Sequence, residues 1–242
     1  MAKAARLSLA IDQNWVMASE QLLAAIRGGT VDMFCITVQE YRQITPYVDT
    51  TRILGDIHGG DELVLVVRQA DGVSRLADLR HKSLVMLDSP NTSLADDWLA
   101  VSFWHEGLDS PDKILGKITK TTKLSQAVLP LFFGQADACL VPRRGLTTMF
   151  EMNPQLSQKL KILLTSPKAQ GAFFAWRQDY PAQFKVGVFD RLTDLRSSPA
   201  ATQVLTLFQA SGFITADMAP IRPALSIIEA YEQHEHPPGR KK

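Results

Sequence analysis

The sequence predicts an α/β protein of two similar lobes with mainly parallel sheets. Three observations carry this. Short apolar runs alternate with stretches whose apolar residues recur at helical spacing, the pattern of strand–helix–strand units. A helix–Gly-x-x-Asp–strand unit occurs twice, as Gly29-Thr30-Val31-Asp32 before MFCIT and as Gly134-Gln135-Ala136-Asp137 before ACLV, with a cysteine inside each strand. The strand LVML at 84–87 passes through a hydroxyl-rich loop, Asp88-Ser89-Pro90-Asn91-Thr92-Ser93, into a helical pattern of Leu94, Trp98, Val101 and Phe103. The repeat, taken alone, equally fits two ordinary helix-to-strand junctions, each with a glycine closing the helix and an aspartate tying the turn.

In chain order, a strand is expected over 5–11, ending in Asp12-Gln13-Asn14. A helix over 20–27 presents Leu22, Leu23 and Ile26 and stops at Gly28-Gly29, before a strand over 33–38. Residues 40–51 read as a turn and short helix broken by Pro46, followed by strands over 53–57 and 62–67. A connector over 71–80 with one helical turn leads to the 84–87 strand and the 94–103 helix. Beyond it come a weakly apolar strand over 113–121, a helix over 124–133 carrying Pro130, and a strand over 138–141. Helices over 147–153 and 155–160, split by Pro154, precede strands at 161–164 and 171–176. Helices over 182–195, 200–211 and 226–232 finish the chain, with a frayed tail over 233–242.

Composition narrows the function classes. A chain of 242 residues, 45% hydrophobic and 21% charged, can bury a sizeable core as one domain or two lobes. A net charge of +1 gives no reason to expect nucleic acid or an anionic membrane as partner. Cys35 and Cys139 make neither a disulfide framework nor a zinc site and read as small buried hydrophobes. No apolar stretch is long enough to span a bilayer, and Ser8 and Asp12 interrupt the only apolar run near the N-terminus, so no signal peptide is legible. There is no nucleophile elbow, metal-ligand spacing or phosphate-binding glycine loop. His58, His81 and His105 are scattered, and His234-Glu235-His236 reads as solvated tail rather than metal ligand. No catalytic residue, metal or cofactor is therefore expected.

The loop after the 84–87 strand admits two readings. Unpaired N–H groups and the positive end of a helix dipole make it a possible anion cradle. Equally, Ser93 followed by Asp96 fits a capping box, and the loop is then an ordinary helix start. Asp96 and Asp97, in the first turn, stabilise the helix but repel an anion held at its end.

Three segments carry a resemblance to a known family: LLAAIRGGTVDMFCITVQEYRQI, LADLRHKSLVMLDSPNTSLADDWL and AVLPLFFGQADACLVP. In order and spacing they resemble the phosphate, phosphite and phosphonate substrate-binding proteins of ABC transporters, of the type 2 periplasmic-binding-protein fold. The resemblance implies two lobes, each a mostly parallel sheet flanked by helices, joined by two crossovers. The first lobe takes 1–66 and 166–242, the second 67–165. The ligand, a small oxyanion such as phosphonate or phosphate, lies in the cleft at the carboxyl ends of strands. The family's ligand loop maps onto Asn91, Thr92 and Ser93, and its ligand-facing aspartate onto Asp137. Lys123, Leu124 and Ser125 stand where the family has a histidine. From the first lobe, Thr37 closes a strand and is the best-placed donor. The resemblance further implies a non-enzyme, a permease partner and a periplasmic location. Family members open with an export signal, strand and helix that precede this chain's first residue, so the first lobe is expected to be N-terminally incomplete, with an exposed edge near 7–11; a genuine start at Met1 makes the chain cytoplasmic. Two alternatives are a cytosolic enzyme of the same fold class, of the menaquinone-synthesis type, and a ligand-sensing domain.

Overall fold

In a computed structural model of the chain, residues 19–194 and 211–236 are described, together with Leu205. The strand expected over 5–11, with its edge, and the helix expected over 200–211, apart from Leu205 and Ser211, lie outside the described residues. Helix α1 (Ser19–Arg27) buries Leu23 and Ile26 and closes through Gly29, whose φ of 71° is the left-handed turn that glycine adopts without strain. Strand β1 (Met33–Thr37) runs straight into α2 (Val38–Ile44), because Thr37 caps it in a reciprocal box with Glu40.

A 3₁₀ turn, Thr45–Tyr47, absorbs Pro46, and β2 then runs over Val48–Asp56. It starts earlier than the sequence suggests. Asp49 and Thr51 look like turn residues, yet Asp49 is buried in the strand, paired with Lys185 of α8 (Ala182–Thr193). The chain continues through β3 (Leu63–Arg68), β4 (Ser83–Leu87) and α3 (Ala95–His105). Part of the long strand expected at 113–121 is a helical turn, α4 (Pro111–Ile114), so β5 is only Lys117–Thr121. Then come α5 (Leu124–Phe132), β6 (Ala138–Pro142), α6 (Arg143–Met152), α7 (Pro154–Lys159), β7 (Leu160–Thr165) and β8 (Ala172–Arg177). Strand β9 (Phe213–Ala216) and α9 (Arg222–Glu235) complete the described residues.

The strands form two sheets, in the orders β1-β8-β2-β9 and β5-β4-β6-β3-β7. The two copies of the helix–Gly-x-x-Asp–strand unit fall one in each sheet, as the two-lobed α/β reading requires. The chain crosses between sheets twice, at residues 57–62 and 166–171. These connections pair through an antiparallel bridge, with Asp61 and Ala169 exchanging N–H···O bonds of 3.0 Å. Because β3 lies wholly in the five-stranded sheet, the first passage precedes it rather than dividing it at 66/67.

Strand direction departs from the mostly parallel expectation. In the five-stranded sheet β4 pairs in parallel with β5 and β6, but β3, arriving from the other sheet, runs against β6 and β7. In the other sheet every described pairing is antiparallel: β8 returns against β1 and β2, and β9 against β2. An apolar run marks a strand but not its direction; here a crossover sets that.

Both faces of β3 are buried, which explains its unbroken LVLVV. Leu65 and Val67 join a core with Phe34, Ile36, Trp98 and Phe103, while Val64 and Val66 meet Val128, Leu131 and Val141. Helix α9 ties the two halves together. It packs on α3, where the His234 ring stacks on Trp104 at 3.8 Å, and Arg42 of α2 pairs with its Glu229 and Glu232. The helix therefore runs past 232 into the expected frayed tail. Among the described residues, no cluster of His, Cys, Asp or Glu could hold a metal. Cys139 is buried, but Cys35 is exposed; strict alternation in MFCIT turns Phe34 and Ile36 inward and Cys35 out.

Candidate functional site

Strands β4 and β6 end side by side, and a cavity of about 370 Å³ lies where these ends meet the two crossovers. Its wall includes Ser89 and Asn91 after β4, Thr122 after β5, and Arg144 and Thr148 on α6. Asp56, Gly60, Asp61, Ala169 and Gln170 come from the crossovers and the end of β2. This is where open α/β sheets place ligands, because strand ends and helix starts leave polar backbone unpaired there.

Local chemistry fixes each part. After β4, Ser89 is extended, and its N–H donates to Thr92 Oγ1 at 2.9 Å, closing a 3₁₀ turn, Pro90–Thr92. Thr92 Oγ1 in turn donates to Leu87 O at 2.8 Å. The expected capping box of Ser93 and Asp96 is not formed. Leu94 is the N-cap of α3, without a side-chain cap, and the box that does form joins Ser89 and Thr92. Gly60 has a φ of 94°, and a Cβ there would stand 2.1 Å from Ala169 O, so only glycine lets the crossovers lie this close. Gly55 has a similar role. A Cβ on it would come within 2.3 Å of the Gln170 amide, which fills that space with 3% of its surface exposed. The Gln170 Nε2 has no hydrogen-bond partner in the protein. A buried amide donor left unpaired costs about 1–3 kcal/mol.

Arg144, at the start of α6, reaches over the crossovers. It donates to Asp56 Oδ1 at 3.3 Å, Asp61 Oδ2 at 3.4 Å and Gly60 O at 3.4 Å. The cavity wall thus has one guanidinium against two carboxylates. Beside it, Arg143 pairs with Glu62 and donates to Thr165 Oγ1 at 2.9 Å.

The residues expected from sequence disperse. Asn91 lines the cavity. Thr92 is buried with its hydroxyl committed to the loop, so it shapes the wall without facing the space. Ser93 turns to α2, where its carbonyl accepts from Gln39 Nε2 at 2.7 Å; its own hydroxyl is buried without a partner in the protein. Thr37 sits opposite Ala172 of the cavity wall in the β1–β8 register, with its hydroxyl shared between Glu40's N–H and carboxylate. Asp137 stands at the other end of the sheet. It precedes β6 and accepts from both the N–H and the hydroxyl of Ser83, at the start of β4, at 2.8 Å each. Parallel strands of this length separate it from the cavity by about 17 Å. Burial works to raise its pKa, but the Ser83 hydrogen bonds, Lys82 and Arg68 prevail and hold the carboxyl below its ordinary value. Lys123 and Ser125 line a neighbouring groove between α5 and α6–α7.

The first-turn carboxylates of α3 point elsewhere. Asp96 pairs with Lys120 at 2.7 Å, and Asp97 accepts from Gln39 at 3.2 Å, so neither lines the cavity. Sequence reasoning missed Arg144 and Thr148, although both follow β6 just as Asn91 follows β4, and the strand-end rule applies equally. Nothing in the sequence marks Gln170, Asp56 or Asp61, whose places depend on how the crossovers pack.

The sequence pattern of one protein family, described as ABC transporter, phosphonate, periplasmic substrate-binding protein, matches residues 9–220. No curated protein sequence matches the chain. Among solved structures, PhnD1 from Prochlorococcus marinus (MIT 9301) in complex with methylphosphonate is similar, with a TM-score of 0.62 and 15% identity over 91% of this chain and 84% of that one. A binding protein component of an ABC phosphonate transporter from Pseudomonas aeruginosa has a TM-score of 0.60 and 15% identity, over 90% of this chain and 74% of that one. XAC2383 from Xanthomonas citri, bound to ATP, has a TM-score of 0.64 and 14% identity, over 90% and 84%. At such identities these likenesses establish the fold.

Proposed function

Because the chain belongs to the periplasmic substrate-binding proteins of phosphonate ABC transporters, we propose that it binds a small oxyanion, a phosphonate or phosphate, in the cavity between its lobes. It then hands that ligand to a membrane permease on the extracytoplasmic side, acting as a binder and not as a catalyst. The lobes are divided at 57–62 and 166–171, so β3 belongs to the second lobe.

One observation carries the reading of the site: the unpartnered, buried Gln170 amide in a cavity at strand ends. Around it, Ser89, Asn91, Thr122 and Thr148 supply neutral polar groups, and the first turn of α6 brings its dipole and Arg144. Of the residues expected from sequence, Asn91 contacts the ligand, whereas Thr92 and Ser93 shape the loop behind it. Thr37 serves as a cap and Asp137 as a clasp between strand starts.

Titration calorimetry of the whole chain with methylphosphonate and with inorganic phosphate tests this. Gln170→Leu, close in shape but without the donor, should weaken binding about tenfold, equivalent to about 1.4 kcal/mol. Absence of binding by either ligand refutes the reading, and unchanged affinity in Gln170→Leu removes Gln170 from the site.

A further inference from the structure

A polar contact joins the two halves away from the crossovers. Gln39, in the first turn of α2, follows β1 of the four-stranded sheet, whereas Ser93 and Asp97, at the start of α3, follow β4 of the five-stranded sheet. Gln39 Nε2 donates to Ser93 O at 2.7 Å and to Asp97 Oδ2 at 3.2 Å. Both sides of this contact adjoin the cavity. Asn91, two residues before Ser93, lines it, and so does Gly171, whose carbonyl accepts from the N–H of Val38, next to Gln39, at 2.9 Å. The far end of α3 is held differently, by the stack of His234 on Trp104.

The contact makes two hydrogen bonds, one of them to a carboxylate, but it also seals two polar atoms. Gln39 Oε1 and Ser93 Oγ are buried there with no hydrogen-bond partner in the protein. The cost of a buried unpaired group is comparable to what a hydrogen bond contributes, so gain and loss nearly cancel. Parting the contact returns all of these groups to water. An apolar contact has no such balance, because separation only exposes surface. Resting on the reading that the cavity takes the ligand, we propose that Gln39 is a reversible latch that holds α3 against α2 and keeps the halves closed over the cavity. Its release lets the halves rotate about residues 57–62 and 166–171. These two connections are short and lie side by side, joined by the bridge of Asp61 and Ala169, so rotation is concentrated there.

Gln39→Glu sets a negatively charged acceptor against Ser93 O and the Asp97 carboxylate. It leaves α2 itself sound, since a carboxylate in the first turn of a helix is favourable. In small-angle X-ray scattering, the ligand-free variant should have a larger radius of gyration than the parent. In stopped-flow measurements by tryptophan fluorescence, methylphosphonate should leave it about tenfold faster, the scale of a lost hydrogen bond to a charged group. Adding Asp97→Asn supplies an amide donor from α3 and should restore most of both properties. Gln39→Ala removes the bonds without adding repulsion and should shift both in the same direction by less. If Gln39→Glu matches the parent in radius and in release rate, the latch is overturned while the cavity reading stands. If release quickens but the radius stays and Asp97→Asn restores nothing, Gln39 touches the ligand itself and the latch is again overturned. If the parent binds no methylphosphonate, the cavity reading falls, and the radii of the ligand-free variants still decide the latch.

Discussion

Replacing Arg144 by methionine separates two tasks that the geometry assigns to one side chain. The guanidinium holds Asp56 and Asp61 at 3.3 and 3.4 Å, and it also lines the cavity. Its side chain is 44% exposed, against 22% and 18% for the aspartates, so the pairs are only partly shielded. Such pairs contribute about 0.2–1 kcal/mol each, and the variant should lose about 1 kcal/mol of stability. The effect on an anion is larger. A unit charge removed about 5 Å from the ligand, at an effective dielectric constant of about 20–80, changes the interaction by about 1–3 kcal/mol. That is about five- to 150-fold in affinity. Asp56 and Asp61, left without their partner, push the same way. Calorimetry with methylphosphonate, beside a thermal melt, reads both effects. Adding Asp56→Asn and Asp61→Asn to Arg144→Met should recover part of the affinity, since it removes the uncompensated negative charge. A variant that melts earlier yet binds within twofold of the parent refutes the reasoning and leaves Arg144 a clasp alone.

Two predictions concern stability, with opposite signs in pH. Lys185 Nζ lies 2.6 Å from Asp49 Oδ2, both side chains being 11% exposed, so Lys185→Met should cost about 3–5 kcal/mol in urea unfolding. Burial opposes ionisation of Asp49, but the bonds from Lys185 and Thr51 outweigh it and hold the carboxyl below its ordinary value. That contribution is present above the usual aspartate pKa of about 3.9 and lost as pH falls through the lower folded value; the acid arm of the stability curve should shrink in Lys185→Met, and parallel curves would disprove it. Asp97 behaves in reverse. Burial pushes it up against the Gln39 bond, and Asp96 and Glu232 add to the rise. Its contribution is therefore fully present below the ordinary aspartate value and lost as pH rises through the raised one. Asp97→Asn should melt above the parent at pH 7 and show no such advantage at pH 3, and equal melting temperatures at both would count against this.

The helices and most strands were legible because their signals are local. The glycine at 29 closes α1, and the apolar run LVLVV marks a strand, whereas Thr37, read as a ligand donor, is the cap of α2. What failed depends on partners distant in sequence. Asp49 reads as a turn residue until Lys185, 136 residues away, is placed against it. Ser93 and Asp96 have the spacing of a cap, yet the chain closes its turn at Ser89 and Thr92 and sends Ser93 toward Gln39. Asp137 sits in the right segment at the wrong end of the sheet. It precedes β6, while the cavity proposed as the site follows that strand. The strand-end rule, carried past β6, reaches Arg144.

The charges at the cleft explain how this site differs from a simple anion cradle. The repulsion expected from Asp96 and Asp97 is absent at the cavity, since Lys120 and Gln39 engage them. Negative charge enters instead through Asp56 and Asp61, where the chain passes between the sheets. These carboxylates fasten α6 to the crossovers through Arg144, so the groups that set the cavity's charge also hold the halves in place. On the proposed reading, an oxyanion arriving there would compete with two aspartates for one guanidinium. Any share of Arg144 that it takes loosens the crossover clasp, and any change in the clasp alters affinity by the same factor. Orientation would then rest on the neutral groups, Gln170 first among them, while Arg144 would couple occupancy of the cavity to the geometry of the crossovers.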